Sequence, residues 1–196
     1  GSDRRYRIGT RVWSIGQLAP VSDQLRHRAL PTLARLYEET GENITLAVLD
    51  RGQALYVDRI GGERSVHTST RAGGHLPLHV TGVGKVLLAF MAADARRDLL
   101  NEAGLPGFTE RTITSSEELE ARLQGVIRDG YVVSLEELEP GLNAVAAPIR
   151  DHAGVVIAAL SVSGPAYRLT AERTRAIAPA VVSAADDVSR RMGHQN

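Results

Sequence analysis

The strand-like runs of this sequence fall into two groups, and short turns join the runs within each group. Residues 43–50 (NITLAVLD) and 54–60 (ALYVDRI) are β-rich and flank the residues DRGQ, a typical hairpin turn. Residues 66–70 (VHTST) are typical of a third, shorter strand. The second group consists of YVVSL, LNAVAAPI and VVIAALSVSG, and the last two flank a turn at 150–154. Because hairpins join antiparallel strands, this order predicts a largely antiparallel sheet of about six strands.

Helical periodicity occupies the segments around the two strand groups. Apolar residues recur every three to four positions between residues 18 and 37, which predicts an amphipathic helix. Pro31 should kink this helix or start a second one, and Gly41 should end it. A final helix is expected from about Ala171, with an apolar face of Ile177, Val181, Ala185, Val188 and Met192. With the central helices, the order of elements indicates an α+β domain.

Three helices are predicted between the strand groups. The first begins in HVTGVGKVLLAF, and the second has Asp94 as its candidate N-cap and ends at Gly104. The third begins at a capping-box pattern formed by Ser115 and Glu118 and should end at Gly130.

The composition limits the class of protein. A chain of 196 residues, 43% apolar and 23% charged, is long enough for one sizeable globular core, and we expect a single domain over residues 18–196. The 23 basic and 23 acidic residues cancel, which weighs against strong nucleic-acid binding by this chain alone. The lack of cysteine excludes disulfides, thiolate metal sites and thiol catalysis. Without a membrane-spanning run or a signal-peptide pattern, a cytoplasmic protein is the simplest expectation.

The stretch HVTGVGKVLLAF contains a Gly-Lys pair but does not match a phosphate-binding P-loop. A P-loop requires a glycine where His79 stands and a hydroxyl residue where Val86 stands. Lys85 could assist an anion, although a helical lysine is more often solvated, and we expect it to be exposed.

Thr81 is a good N-cap for this helix, and its position leaves Gly82, Val83 and Gly84 in the first turn. Their backbone N–H groups lack partners inside the helix and, with the helix dipole, predict a small anion site. The glycines have two explanations that the sequence leaves open. They could let a ligand approach the backbone, or they could let this loop pack tightly on the sheet.

A pair of hydroxyls on one predicted strand is the second candidate feature. Ser161 and Ser163 are two residues apart, so both should lie on one face, opposite Leu160 and Val162. Such a pair is suited to hydrogen bonding a ligand, although serines near a strand end also bond to neighbouring backbone. Neither serine lies in a Gly-x-Ser-x-Gly elbow, which weighs against a hydrolase nucleophile.

Metal and cofactor sites have little support in the sequence, and we expect none. His75 and His79 are four residues apart, but Pro77 between them prevents a helix from bringing them to one face. The acidic group at 136, 137 and 139 precedes Pro140-Gly141 and is expected to be an exposed turn. No partner for paired-carboxylate catalysis can be located.

Several segments together resemble the C-terminal effector-binding domain of the IclR-type transcriptional regulators. They are YRIGTRVWSIG, LARLYEETGENITLAVLD, LPLHVTGVGKVLLAF, GLNAVAAPIRDHAGVVIAALSVSGP and RTRAIAPAVVSAADDVSRRM, and they span nearly the whole chain in the family's order. The resemblance implies a GAF/profilin-like fold, with a curved sheet and helices on both sides. It also implies a homodimer or tetramer that binds a small organic acid.

The resemblance further implies that the DNA-reading part lies outside this chain. Regulators of this kind carry an N-terminal winged helix-turn-helix, and residues 1–17 would hold a tag remnant followed by the end of its wing and the linker. DNA would then be bound only through that missing domain, with no role for a membrane.

The resemblance also assigns candidate effector contacts. In members that bind small keto acids, the ligand lies at the helix N-terminus matching Gly82 and Val83 and is contacted from the strand matching Ser161 and Ser163. Further contacts match three other positions of this sequence, namely Ser134, Leu142 and Ala144. Keto-acid binders usually carry an aspartate and a cysteine at two of these, Ser134 and Ala144, and the difference suggests a bulkier effector, such as an aromatic acid.

Two functions follow for comparison with the structure. The first is a sensing domain whose small carboxylate ligand alters the oligomer and the DNA binding of the full-length regulator. The alternative is an enzyme that processes small acids on a similar scaffold. An enzyme is not expected, because the sequence offers neither a base–nucleophile pair nor a cofactor motif.

Overall fold

The computed structural model describes residues 20–61 and 72–195, with side chains from residue 24 onward in those ranges. The predicted linker and the predicted strand at 66–70 lie outside the described residues. The elements, in chain order, are α1 (Pro20–Thr40), β1 (Asn43–Asp50), β2 (Gln53–Ile60), β3 (His75–Leu76), α2 (Gly82–Ala89), α3 (Ala93–Ala103), α4 (Ser116–Asp129), β4 (Val132–Leu135), β5 (Leu142–Arg150), β6 (Val156–Pro165), α5 (Ala171–Ala176) and α6 (Ala178–Arg191). No helix in the described part is long and apolar enough to cross a membrane.

The described strands form one six-stranded sheet in the order β3-β2-β1-β6-β5-β4. Every adjacent pair is antiparallel, as predicted. The turn between β1 and β2 places Arg51 and Gly52 at φ values of 48° and 76°, the conformation that two-residue hairpins need. Strands β1 and β6, from the two sequence groups, pair at the centre of the sheet.

One face of the sheet packs against helices α1 and α6 to form a continuous apolar core. Its residues include Ile44 on β1 and Leu160 and Val162 on β6, all fully buried. Leu25 and Leu33 of α1 and Val181 and Val188 of α6 cover them. Hydrophobic burial on this face supplies much of the free energy of folding.

The opposite face carries α2 and α4 over a second apolar cluster. Here Ala47, Ala146 and Ala159 of the sheet contact a layer that includes Val86 and Leu123. All eight residues of α2 are buried. Helices therefore lie on both faces of the antiparallel sheet, as expected for an α+β domain of the GAF-like class.

Three local expectations differ from the structure. Helix α1 runs through Pro31 as one helix, so no second helix starts there. Ala92, not Asp94, is the N-cap of α3, and Asp94 lies in the first turn where its charge favours the helix dipole. The final helix is divided at Ile177 into α5 and α6. The Ser115 cap and the stops at Gly41 and Gly130 are as predicted.

Candidate functional site

A cavity lies between the N-terminus of α2 and the sheet. It encloses about 420 Å³ of space not filled by atoms, part of which is open to solvent. All seven residues singled out from the sequence line it: Gly82, Val83, Ser134, Leu142, Ala144, Ser161 and Ser163. The structure therefore brings these residues together, whereas their role in binding a ligand remains a prediction.

The sheet register explains why distant segments meet in this cavity. Ser134 on β4 pairs with Ala144 on β5, which pairs with Ser163 on β6. Ser161 pairs in the same way with Thr45 on β1. Because directly paired residues point to the same face, hydroxyls from three strands gather on the cavity side of the sheet.

The N-terminus of α2 forms the opposite wall, and one of its three expected free amides is in fact capped. Thr81 accepts a hydrogen bond from the Gly84 amide at 3.1 Å, so that amide faces its own N-cap rather than a ligand. The amides of Gly82 and Val83 have no hydrogen-bond partner among the described residues. Two donors at the positive end of the helix dipole are therefore left to face the cavity.

Gly82 and Gly84 in this turn lack a side chain for different structural reasons. A Cβ on Gly84 would lie 2.2 Å from the Leu78 carbonyl oxygen, so that glycine serves tight backbone packing. A Cβ on Gly82 would lie 3.2 Å from the Cβ of Ala146. Gly82 packs closely on β5 and also lines the cavity. Tight packing therefore explains Gly84, whereas the approach of a ligand to the backbone at Gly82 stays a prediction.

The hydroxyls of the cavity differ in whether a protein group already forms a hydrogen bond with them. Ser161 Oγ lies 2.7 Å from Thr45 Oγ1, so one of these two hydroxyls donates to the other. Within the described residues, neither of the two strand serines bonds to backbone. Ser163 makes no hydrogen bond among the described residues, although it is buried. Its oxygen is not among the fully buried polar atoms without a partner, so it remains accessible to a ligand or a water in the cavity.

Lys85 and Glu137 contradict the sequence-based expectation that both would be solvated. Their side chains are 0% and 5% exposed, and Lys85 Nζ lies 2.6 Å from Glu137 Oε2. Burial lowers the pKa of Lys85, and the adjacent Glu137 carboxylate opposes that shift. The two atoms form a close ion pair. Their angles do not meet the requirements of a hydrogen bond, because neither atom has a hydrogen-bond partner among the described residues. Ser134 Oγ donates to the other oxygen of Glu137 at 3.1 Å.

Five further residues line the cavity: Thr45, Tyr56, Val80, Thr81 and Leu138. Of these, only Thr81 was named from the sequence, as the N-cap of α2. Burial raises the pKa of Tyr56 well above its ordinary value, and the Thr81 side chain opposes this in part, so the phenol stays protonated as a donor. The alternation along β1 could have identified Thr45, because it shares a face with Ala47. Nothing local to the sequence identifies Tyr56 as a cavity residue.

The two histidines that were considered from the sequence as metal ligands have other partners. His75 lies 2.8 Å from Asp50, and His79 Nε2 lies 3.0 Å from the carbonyl oxygen of Pro106. Within residues 20–61 and 72–195, no group of three or more potential metal ligands is found.

Comparisons with known proteins agree with this architecture. Residues 18–190 match the family model described as bacterial transcriptional regulator IclR C-terminal. The chain is 34% identical over its full length to the HTH-type transcriptional regulator KdgR of Escherichia coli strain K12, of which it spans 74%. Relatives of this kind are named as regulators, which supports the expectation that the chain is not an enzyme.

Two solved structures extend the comparison to ligand complexes. An IclR homologue from Microbacterium hydrocarbonoxydans complexed with 4-hydroxybenzoate has a TM-score of 0.86 at 31% identity, covering 95% of this chain and 75% of that one. The inducer-binding domain of a PobR double mutant from Acinetobacter, complexed with 3-hydroxybenzoic acid, has a TM-score of 0.75 at 27% identity, covering 81% and 94%. From its sequence, fold and matches, the chain belongs to the IclR family of bacterial transcriptional regulators and forms their C-terminal effector-binding domain.

Proposed function

We propose that the cavity binds a small carboxylate as the effector of this regulator. The observation that carries the proposal is the pair of unpartnered amides at Gly82 and Val83, residues that line the same cavity as the hydroxyl-bearing residues of the sheet. Amides at a helix N-terminus bind anions through their N–H groups and the helix dipole. Ser163 adds a hydroxyl that has no partner in the described protein.

An aromatic acid is the effector class that fits best. Ser134 and Ala144 are small and uncharged, whereas members that bind keto acids usually carry aspartate and cysteine there. Val80, Leu138 and Leu142 add apolar surface to the wall, beside polar groups on other lining residues. The two hydroxybenzoate complexes of related proteins give further support to this class.

Binding would regulate transcription through the assembly of the full-length protein. We infer a cytoplasmic homodimer or tetramer that binds DNA through a winged helix-turn-helix N-terminal to this domain. The effector transmits a signal only if it binds one arrangement of the subunits more tightly than another. Sedimentation of the full-length regulator with and without effector, together with operator binding, measures this directly.

The carboxylate requirement is tested by calorimetric titration of this domain with benzoates and their methyl esters. Acids should bind, and the uncharged esters should bind at least about tenfold more weakly, because the amides then lack an anion. The Ser163→Ala variant should bind the acids less tightly, whereas Ser116→Ala, on the exposed first turn of α4, should match the wild type. Equal binding of acids and esters would contradict the proposal.

A further inference from the structure

We propose that Lys85 and Glu137 fix the hydrogen-bonding direction of Ser134, so that the effector must present a hydrogen-bond donor to this serine. The inference rests on the proposed function and narrows its ligand class. The effector would be a carboxylate that also carries a hydroxyl, rather than one whose second polar group can only accept.

The first step is the buried ion pair. Lys85 Nζ and Glu137 Oε2 are 2.6 Å apart, and both side chains are excluded from water. Either charge left alone in this interior would be strongly unfavourable, so each group holds the other in place. One carboxylate oxygen is thereby committed to the ammonium, and Oε1 is the oxygen left to accept from Ser134.

The second step is the proton of Ser134. A hydroxyl has a single proton, and that of Ser134 is donated to Glu137 Oε1 at 3.1 Å. No other described side chain or amide donates to this oxygen. If the hydroxyl turned its proton towards a ligand, a buried carboxylate oxygen would lose its only donor. Ser134 therefore offers the cavity its lone pairs, and it can only accept.

The third step is the backbone that presents Glu137. Glu136 has a φ of 56°, a left-handed conformation that is uncommon for a residue with a side chain. Two threonine hydroxyls hold this turn, since Thr109 donates to the Glu136 carbonyl at 2.7 Å and Thr112 to the Glu137 carbonyl at 2.8 Å. The carboxylate is thus fixed beneath Ser134 by the surrounding structure.

The cavity then has two ends of opposite hydrogen-bonding character. The amides of Gly82 and Val83 donate at one end, and Ser134 accepts at the other. Gly82 packs against Ala146 and Ala144 of β5, and Ser134 pairs with Ala144 on the adjacent strand. Adjacent strands lie roughly 5 Å apart, so a benzoate-sized molecule can reach both ends.

The experiment uses benzoates that differ only in the group at position 3 or 4. Hydroxyl can donate, fluorine is of similar size but cannot donate, and formyl can only accept. Calorimetric titration of the wild-type domain should give the affinity order hydroxyl, fluorine, formyl, with a difference of at least about tenfold between the first and the last. The Ser134→Ala variant should reduce that difference to about threefold or less, because the acceptor that distinguishes the two groups is then gone.

The charge pair is tested separately by the double variant Lys85→Met/Glu137→Leu, which replaces both charges with apolar groups of similar volume. With no carboxylate to receive its proton, Ser134 can donate, so the formylbenzoates should bind more tightly than to the wild type. Circular dichroism establishes that each variant folds. If the double variant does not fold, the Ser134→Ala titrations decide the question alone.

The outcomes separate this inference from the function on which it rests. Equal wild-type affinity for the hydroxyl and formyl compounds, or a preference unchanged in Ser134→Ala, would overturn the donor requirement while leaving carboxylate binding in place. If the wild-type domain binds none of the benzoates, nor lactate or pyruvate, the proposed function fails and the inference with it.

Discussion

The two faces of the sheet are built from the same strands but serve different purposes. On the face towards α1 and α6, Leu160 and Val162 lie in a fully buried apolar layer. On the face towards α2, the alternating neighbours Ser161 and Ser163 line a cavity. Because successive residues of a strand point to opposite sides, one segment of β6 contributes to stability and to the candidate site at once.

The difference shows where polar groups are tolerated in this interior. The apolar face holds no cavity-lining hydroxyl, whereas on the other face Thr45 and Ser161 satisfy one another and Ser134 is satisfied by Glu137. Ser163 alone among these four lacks a partner in the described protein. Substitutions of neighbouring β6 residues on the two faces should therefore differ in their effect on folding.

The largest effect on stability is expected from breaking the buried ion pair on the cavity face. Lys85→Met leaves Glu137 buried without its counter-charge and should lower the free energy of unfolding by about 3–5 kcal/mol in chemical denaturation. Lys85→Met/Glu137→Leu should recover most of that loss. A double variant no more stable than the single one would show that the charge pair does not account for the loss.

A direct comparison of the faces comes next, from adjacent residues of β6. Leu160→Ala should lower the free energy of unfolding by about 2–5 kcal/mol, because it removes fully buried apolar contacts and leaves a cavity. Ser161→Ala should cost about 1 kcal/mol through the lost hydrogen bond to Thr45. Urea denaturation measures both, and equal losses would refute the division between the faces.

A smaller effect is expected at the turn that begins α2. Gly84→Ala places a Cβ against the Leu78 backbone and should lower the free energy of unfolding by about 1–3 kcal/mol. Gly125→Ala is the matched control, because a Cβ there meets only the far end of Arg128. In the middle of α4 that change should stabilise the protein by about 0.5–1 kcal/mol. A stable Gly84→Ala variant would contradict the close packing.

The smallest effect is a difference in acid sensitivity between the faces. Burial lowers the pKa of His79, beside the cavity layer, below its ordinary 6.5. The unfolded chain then binds more protons, so stability declines as the pH falls below 6.5. Asp187 of α6 has a lowered pKa because Thr32 donates to it, so its contribution persists until the pH falls below about 3.8.

The two pH ranges are checked by measuring the free energy of unfolding as a function of pH. His79→Gln should flatten the slope below pH 6.5 only, and Asp187→Asn should flatten it below about pH 3.8 only. Identical slopes in wild type and both variants would show that neither group is linked to stability in this way.

Local sequence patterns were sufficient to predict most helices and strands of the fold. The bounds of β1 match the predicted run, because alternation, the Gly41 stop and the hairpin turn agree. Of the two effects expected from Pro31, a second helix does not start there, because α1 continues to Thr40, and a kink stays a prediction. The break at Ile177 carries no comparable local signal.

The candidate site was predictable where residues are local or belong to a known resemblance. Gly82 and Ser163 were identified, whereas the burial of Lys85 was not, because its partner Glu137 lies on a turn that only the fold brings close. A lysine at a helix start is normally expected to reach water. Only the tertiary structure shows that this one is enclosed.

The complete burial of α2 has a consequence for signalling. None of its eight residues faces water, and it contacts β5, β6 and α4. A close-packed interior transmits small displacements instead of absorbing them. A ligand that pulls on the first-turn amides should therefore shift the helix as a rigid rod, and the motion should reach α4, which the helix contacts.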